Sequence, residues 1–368
     1  MGFAILGLGT AVPPTRLDQA KAEAVAHAVC CRDDVQKQIL SVLYRHSGID
    51  SRHVVFSPEI VRDVLDGTTA SGSPFLPVGD AARLGPTTRQ RMEQYAADAP
   101  PLAEAAARQA LDDSGVEAAD ITHLVTVSCT GFRAPGVDVG LIKRLGLSPH
   151  VERTHVGFMG CHGALNGLRV ARALVAEDPT ARVLLCAVEL CSLHYYYNWN
   201  PKKLVSNAIF ADGAAAVVGA SSAAVGSGHW VCRASGSRLF PDSEATMTWD
   251  VGDHGFDMTL STRVPNLIAA NLRPFLAGWL AKHRLTIEDV ASWAVHPGGP
   301  RILSDIEKAI GLSEQATADS RDVLREFGNM SSPTVLFALD RLRKRRAPRP
   351  CVALGFGPGL VAEAALFD

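Results

Sequence analysis

The segment Val156-Gly157-Phe158-Met159-Gly160-Cys161-His162-Gly163-Ala164-Leu165 decides how the rest of this chain is read. Its apolar, β-branched start reads as a strand, and Gly160 and Gly163 bracket a turn around Cys161. Beyond the turn Ala164, Leu165, Leu168, Ala171 and Val175 recur at helical spacing. Cys161 is therefore expected on a strand-to-helix turn, at a helix N-terminus. There the dipole and the unpaired backbone N–H groups favour a thiolate, which predicts a pKa below the free value of about 8.5. Gly160 and Gly163 leave room for a substrate or another chain segment to come close.

Outward from this turn, strands alternate with helices. Residues 121–128 and 182–189 read as buried strands, and 101–114 reads as a helix stopped by Gly115. A second series holds a helix over 264–283, a strand over 291–295, helices over 300–310 and 333–346, and a strand over 351–356. The connector Ala220-Ser-Ser-Ala-Ala-Val-Gly-Ser-Gly228 separates the two series and predicts a boundary between residues 1–220 and 229–368. Alternation of this kind indicates an α/β fold with buried sheets, and two series of the same character suggest duplication.

Composition narrows the function. The 368 residues carry 36 Lys+Arg against 38 Asp+Glu, a formal charge of -2, so no global field draws nucleic acid. The eight cysteines include no C-x-x-C pair, and the histidines show no metal-ligand spacing. The start, Met1-Gly2-Phe3-Ala4-Ile5-Leu6, lacks signal-peptide and myristoylation patterns, and no apolar run approaches about 18 residues. A cytoplasmic protein without a membrane span is expected. Residues 339–349 are densely basic; a solvated helix end or a phosphate contact for a coenzyme would each account for them. Gly355-Phe-Gly-Pro-Gly-Leu360 is no dinucleotide loop, because only eight residues follow it.

A thiolate nucleophile needs a base or counter-ion, and a developing oxyanion needs donors. His296, in Trp293-Ala-Val-His296-Pro-Gly-Gly-Pro300, closes a buried strand. Asn329, in Phe327-Gly-Asn329-Met-Ser-Ser-Pro333, lies in a tight turn before a helix. Both are polar groups at element ends, where sites are usually built. His162 is expected to point away from the nucleophile, since neighbours on a helix do not face each other.

Together, the Cys161 elbow, His296-Pro-Gly-Gly-Pro300, Gly328-Asn-Met-Ser-Ser332 and Gly355-Phe-Gly-Pro-Gly-Leu360 resemble the type III polyketide synthases, the chalcone-synthase-like family. The resemblance spans nearly the whole chain. It implies a thiolase-like five-layered α/β/α/β/α fold from two duplicated halves, an obligate homodimer, and coenzyme A thioesters as substrates with no further cofactor and no metal. It also implies a reaction. Cys161 would take an acyl group from a starter acyl-CoA. Malonyl-CoA would lose CO2 with its enolate held by His296 and Asn329. The carbanion would attack the thioester, and repeated rounds would end in cyclisation.

The same resemblance carries pocket positions over one at a time. Phe210 matches the family's gating phenylalanine, and Met258 takes the place of the second. Trp249 stands where plant enzymes have a glycine, which narrows one side of the cavity. Cys129, beside Thr130, matches an initiation-pocket threonine, and Cys191 and His194 replace two more. Ser331 belongs to the same lining, Ala134 replaces a methionine that crosses the dimer interface, and Arg45 is the candidate coenzyme A contact. These departures point toward bacterial alkylresorcinol and alkylpyrone makers. Three alternatives stay open: a malonyl-CoA-only aromatic synthase of the tetrahydroxynaphthalene kind, a ketoacyl synthase performing one condensation with acyl-carrier protein, and a catalytically dead scaffold.

Overall fold

In the computed structural model, residues 2–79 and 81–368 are described. The first series runs β1 (Phe3–Ala11), β2 (Thr15–Asp18), α1 (Gln19–Cys30), α2 (Asp34–Arg45), β3 (Ser51–Val54), α3 (Pro58–Asp66), α4 (Ala81–Leu84) and α5 (Thr88–Ser114). It continues through β4 (His123–Ser128), α6 (Val137–Leu145), β5 (Glu152–Gly157), α7 (Gly163–Glu177), β6 (Arg182–Leu190), α8 (Pro201–Ile209) and β7 (Asp212–Ser221). The second series comprises β8 (Trp230–Leu239), β9 (Met247–Gly252), β10 (Gly255–Leu260), α9 (Val264–Ala281), β11 (Ser292–Val295) and α10 (Pro300–Ile310). It ends with α11 (Ala318–Phe327), α12 (Thr334–Lys344), β12 (Cys351–Gly357) and β13 (Val361–Phe367).

Nine strands form one hydrogen-bonded sheet in the order β11-β12-β13-β8-β1-β7-β6-β4-β5. Within this sheet the strands of the two halves pair where Phe3, Ala4 and Ile5 of β1 meet Cys232, Val231 and Trp230 of β8. On one side of that seam β1-β7-β6-β4 pair antiparallel, antiparallel, parallel. On the other, β8-β13-β12-β11 pair in the same sequence of senses. The duplication suggested by the chain's two series is thus visible in the topology.

The layers follow from which face each side chain takes. Leu124, Leu184, Cys186 and Val218 pack with α5 and α6 in one apolar core. Val125, Val127, Leu185 and Val217, on the opposite face, join α7, α12 and Ala353, Ala365 and Phe367 in a second. Val352, Leu354, Ala364 and Leu366 then face α9 and α10 in a third. The sequence of layers is helix, sheet, helix, sheet, helix. Strands covered on both faces need no polar alternation, which is why β4 and β7 are buried at every residue.

The element expectations hold with one correction. Helix α5 starts not near residue 101 but at Thr88, where Thr87 and Gln90 form a reciprocal capping box. Pro100 and Pro101 lie inside this helix. An interior proline costs about 3 kcal/mol, and the buried face made by Ala99, Leu102, Ala103, Ala106, Ala110 and Leu111 offsets it. Among the described residues no helix is long and apolar enough to cross a membrane.

The basic run near the C-terminus is largely held by ion pairs. Arg341 meets Glu326, Arg343 meets Asp113, Lys344 meets Asp340 and Arg345 meets Asp319. This supports the solvated helix end over a coenzyme contact.

Candidate active site

Strand β5 delivers the chain to a single 3-10 turn, Gly160–His162, and α7 starts at Gly163. Gly160 holds φ 71°, and a Cβ there would lie 2.2 Å from Pro358 Cδ. A Cβ at Gly357 would lie 2.5 Å from His162 Cδ2. The glycine-rich end of β12 is therefore the clearance that lets the second half close over the Cys161 turn. His162 turns away as expected: its Nδ1 lies 2.7 Å from Asn166 Oδ1, and it lines neither cavity described below.

His296 follows β11 directly and prolongs its pairing, the His296 amide donating to Leu354 O at 2.7 Å. Asn329 sits in the turn between α11 and α12, bridged to Phe210: its amide donates to Ile209 O and its carbonyl accepts from the Ala211 amide, both at 2.9 Å. Its side-chain Oδ1 accepts from the Ser331 amide at 2.8 Å. Cys161, His296 and Asn329, well separated in the chain, line one small cavity of about 30 Å³ together with Phe210, Met258 and Ile268.

The protonation expected at Cys161 is overturned in this ligand-free site. Burial pushes its thiol up to about 11, although hydrogen bonds from Ser331 and Asn329 act in the opposite direction. The thiol lies inside the protein, where the desolvation penalty on a thiolate exceeds what one turn of helix returns. Burial likewise pushes His296 down to about 3, the charge of His162 adding to the effect. Both ring nitrogens of His296 are buried without a hydrogen-bond partner among the described residues. Both shifts favour the neutral forms, thiol and imidazole.

On its other side Cys161 opens into a larger cavity of about 110 Å³. Cys129, Thr130, Cys191, His194, Phe210, Trp249, Met258 and Ser331 all line it, so every carried-over pocket residue borders the nucleophile's surroundings. Phe210 and Met258 border both cavities, as a gate between them would. Arg45 is different. It is exposed at the end of α2 and lines neither cavity.

His194 does more than line the wall. Its Nδ1 accepts from the Phe256 amide at 3.0 Å, which leaves the proton on Nε2 to donate to Thr130 O at 2.7 Å. Its ring stacks on Phe256 at 4.1 Å, and Trp249 meets it edge-on at 5.4 Å. Burial holds it neutral, with a pKa pushed down to about 3. Trp249 in turn donates from Nε1 to Cys129 O at 2.7 Å.

Sequence reasoning passed over Glu189 as a functional group. This wholly buried carboxylate accepts from the amides of Cys129 (2.9 Å) and Thr130 (3.0 Å), and from the Ser332 hydroxyl at 2.6 Å. Cys129 and Thr130 are therefore pinned through both amides and both carbonyls. Cys129 Sγ in turn accepts from the Gly160 amide at 3.0 Å, tying this platform to the nucleophile's turn. The signal was a lone acid inside the apolar strand run Val183–Leu190. Also unforeseen is an arm of the larger cavity formed by Leu17, Ala22, Val25, Val29, Ile60 and Val64.

Comparison with known proteins agrees with this geometry. The model of the N-terminal domain of chalcone and stilbene synthases matches residues 2–222, and that of their C-terminal domain matches residues 232–368. The chain belongs to the chalcone and stilbene synthase family, and it is a type III polyketide synthase. It is 35% identical to the alpha-pyrone synthesis polyketide synthase-like protein Pks18 of Mycobacterium tuberculosis, over 99% of this chain and 90% of that one. It is 32% identical to the 1,3,6,8-tetrahydroxynaphthalene synthase of Streptomyces peucetius subsp. caesius, over 99% and 93%. The crystal structure of PKS-I from the brown alga Ectocarpus siliculosus superposes with a TM-score of 0.92 at 37% identity, covering 100% of this chain and 98% of that one. The synthase is thus an acyltransferase-type enzyme that condenses malonyl-CoA units, with coenzyme A thioesters as its substrates.

Proposed function

We propose that this synthase primes Cys161 with a medium- or long-chain acyl-CoA, extends the acyl group with malonyl-CoA and closes the product to an alkyl pyrone or resorcinol. The observation that carries the proposal is the apolar arm of the larger cavity. The cavity that Cys161 lines is also lined by side chains of α1 and α3, where Ala22, Val25, Val29, Ile60, Val61 and Val64 offer no hydrogen-bonding group. Such a lining suits an alkyl chain, each buried CH₂ contributing about 0.8 kcal/mol. The similarity to a protein named for alpha-pyrone synthesis points the same way.

In this reading the two cavities divide the work. Malonyl-CoA loses CO2 in the small one, where Asn329 and the unpartnered His296 ring supply donors for the enolate oxygen. Those contacts strengthen as charge develops, which is what accelerates the step. The acyl chain, held as a thioester on Cys161, extends into the arm. During acylation the thiol proton passes to His296 as sulfur attacks the thioester carbonyl, and coenzyme A leaves as its thiol once reprotonated. A thiol of raised pKa makes a more nucleophilic thiolate when it ionises. Homodimer formation is part of the proposal. Edge strand β5 is mostly exposed, and Phe132 is 74% exposed beside the site. A cytoplasmic setting is supported by eight free cysteines.

The test is purified enzyme with malonyl-CoA and acyl-CoA starters from acetyl to stearoyl, read by mass spectrometry. Pyrones or resorcinols with a preference for the longer starters are expected. An aromatic product from malonyl-CoA alone, unaffected by added acyl-CoA, would overturn the starter assignment.

A further inference from the structure

Arg52, in β3, is 3% exposed and sits at the border of the larger cavity. A buried guanidinium ordinarily faces a carboxylate, since an uncompensated charge in the interior is costly. Here the partners are neutral. Nη1 donates to Asn207 O and Phe210 O, both at 2.9 Å, while Nη2 donates to Ala208 O and to Gln19 Oε1, the latter at 3.0 Å. The Tyr44 ring lies 5.5 Å away. Asn207 O and Ala208 O belong to the last turn of α8, whose unpaired carbonyls carry the negative end of the helix dipole and compensate the charge.

The arrangement interleaves with Asn329. Arg52 takes the carbonyls of residues 207, 208 and 210. Asn329 takes the carbonyl between them, Ile209 O, and the amide of Ala211. Just before Arg52, the Asp50 amide donates to Arg325 O at 2.7 Å and the Ser51 hydroxyl donates to Glu326 O at 2.7 Å. Residues 50–52 therefore hold both walls of the cleft in which the Asn329 turn lies: the end of α8 on one side and the end of α11 on the other.

We propose that Arg52 is a positioning residue for malonyl-CoA decarboxylation, registering the Asn329 turn and the Phe210 gate against Cys161 through the α8 carboxy-terminus. The proposal rests on the reading that Asn329 serves decarboxylation. Lysine cannot replace the arginine, because an ammonium has no planar fork to reach three carbonyls at fixed spacing.

Two rates separate positioning from general loosening: malonyl-CoA decarboxylation, and alkylation of Cys161 by iodoacetamide at pH 9. Arg52→Lys and Arg52→Met are expected to lower the decarboxylation kcat roughly 10- to 100-fold, the scale of an ångström misplacement, with KM and the alkylation rate within about threefold. Decarboxylation within about threefold of wild type in both variants overturns the proposal. So does a parallel fall of decarboxylation, alkylation and Tm. Should Arg52→Met fail to fold, Arg52→Lys carries the test. If Asn329→Ala decarboxylates like wild type, the role of Asn329 is what fails, and that outcome is read before Arg52 is judged.

Discussion

Strands β4 and β11 hold matching places in the two strand orders, and α7 and α12 are the matching helices. The two halves therefore offer the same two positions to the site, the residue after the strand and the turn before the helix. In the first half these are Cys129 and Cys161; in the second, His296 and Asn329. The halves differ in how completely these groups are satisfied. Cys129 and Thr130 have every backbone donor and acceptor engaged, by Glu189, Trp249 and His194. His296 has its backbone amide engaged and both ring nitrogens bare. Leaving a buried polar atom unpaired costs about 1–3 kcal/mol. One half frames the nucleophile with its polar groups engaged, and the other keeps the His296 ring free for a substrate to complete.

The largest expected effect tests whether the two halves work separately. Cys161→Ala removes the attachment point and leaves His296 and Asn329 in place. Polyketide formation should be abolished, while malonyl-CoA decarboxylation continues at a measurable rate. Release of CO2 and product mass spectra, followed on the same sample, give both answers. Loss of decarboxylation together with condensation would mean that the second half depends on the thiol, and the division of labour would fall.

The converse change strikes the second half. Asn329→Ala should lower decarboxylation by about 10²–10³-fold, the usual effect of losing one oxyanion donor. Acylation of Cys161 by a starter acyl-CoA, seen as a mass increase of the intact protein, should persist. An acylation rate that fell as steeply would place Asn329 in both steps.

The asymmetry between the halves was only partly legible in the chain. Cys161 and His296 each stand in a glycine-flanked turn at the end of an apolar run, and Asn329 follows Gly328 in a turn before a helix, local patterns whose convergence followed from resemblance. That the sheets are covered on both faces was legible too, because strands without alternation have to be covered twice. What could not be read were ties between distant segments. His194 reaches Thr130 and Phe256, which lie more than 60 residues away on either side, so it looked like a substrate contact. Glu189 is a lone acid in an apolar run until the Ser332 hydroxyl of the other half is placed against it. The arm beneath α1 and α3 is built from Leu17, Val29 and Val64, side chains that any core would use. Nothing local distinguishes an apolar side chain facing a cavity from one packed against another. The expected acidity of Cys161 failed for the same reason: a helix N-terminus is a local feature, whereas burial belongs to the assembled fold.

That failure sets the smallest effect, and it is an absence. With Cys161 pushed up to about 11 and His296 pushed down to about 3, the two side chains are expected to stay neutral toward each other before substrate binds. Iodoacetamide reacts with the thiolate, so labelling of Cys161 should be slow at pH 7 and should climb about tenfold per pH unit until the thiol titrates. His296→Gln should leave this profile unchanged between pH 7 and 9, because a neutral imidazole lends the thiol no charge. The opposite result has a definite meaning. Rapid labelling at pH 7 that His296→Gln abolishes would show a thiolate–imidazolium pair already formed in the free enzyme. The unpartnered ring would then be serving the nucleophile as well as the enolate.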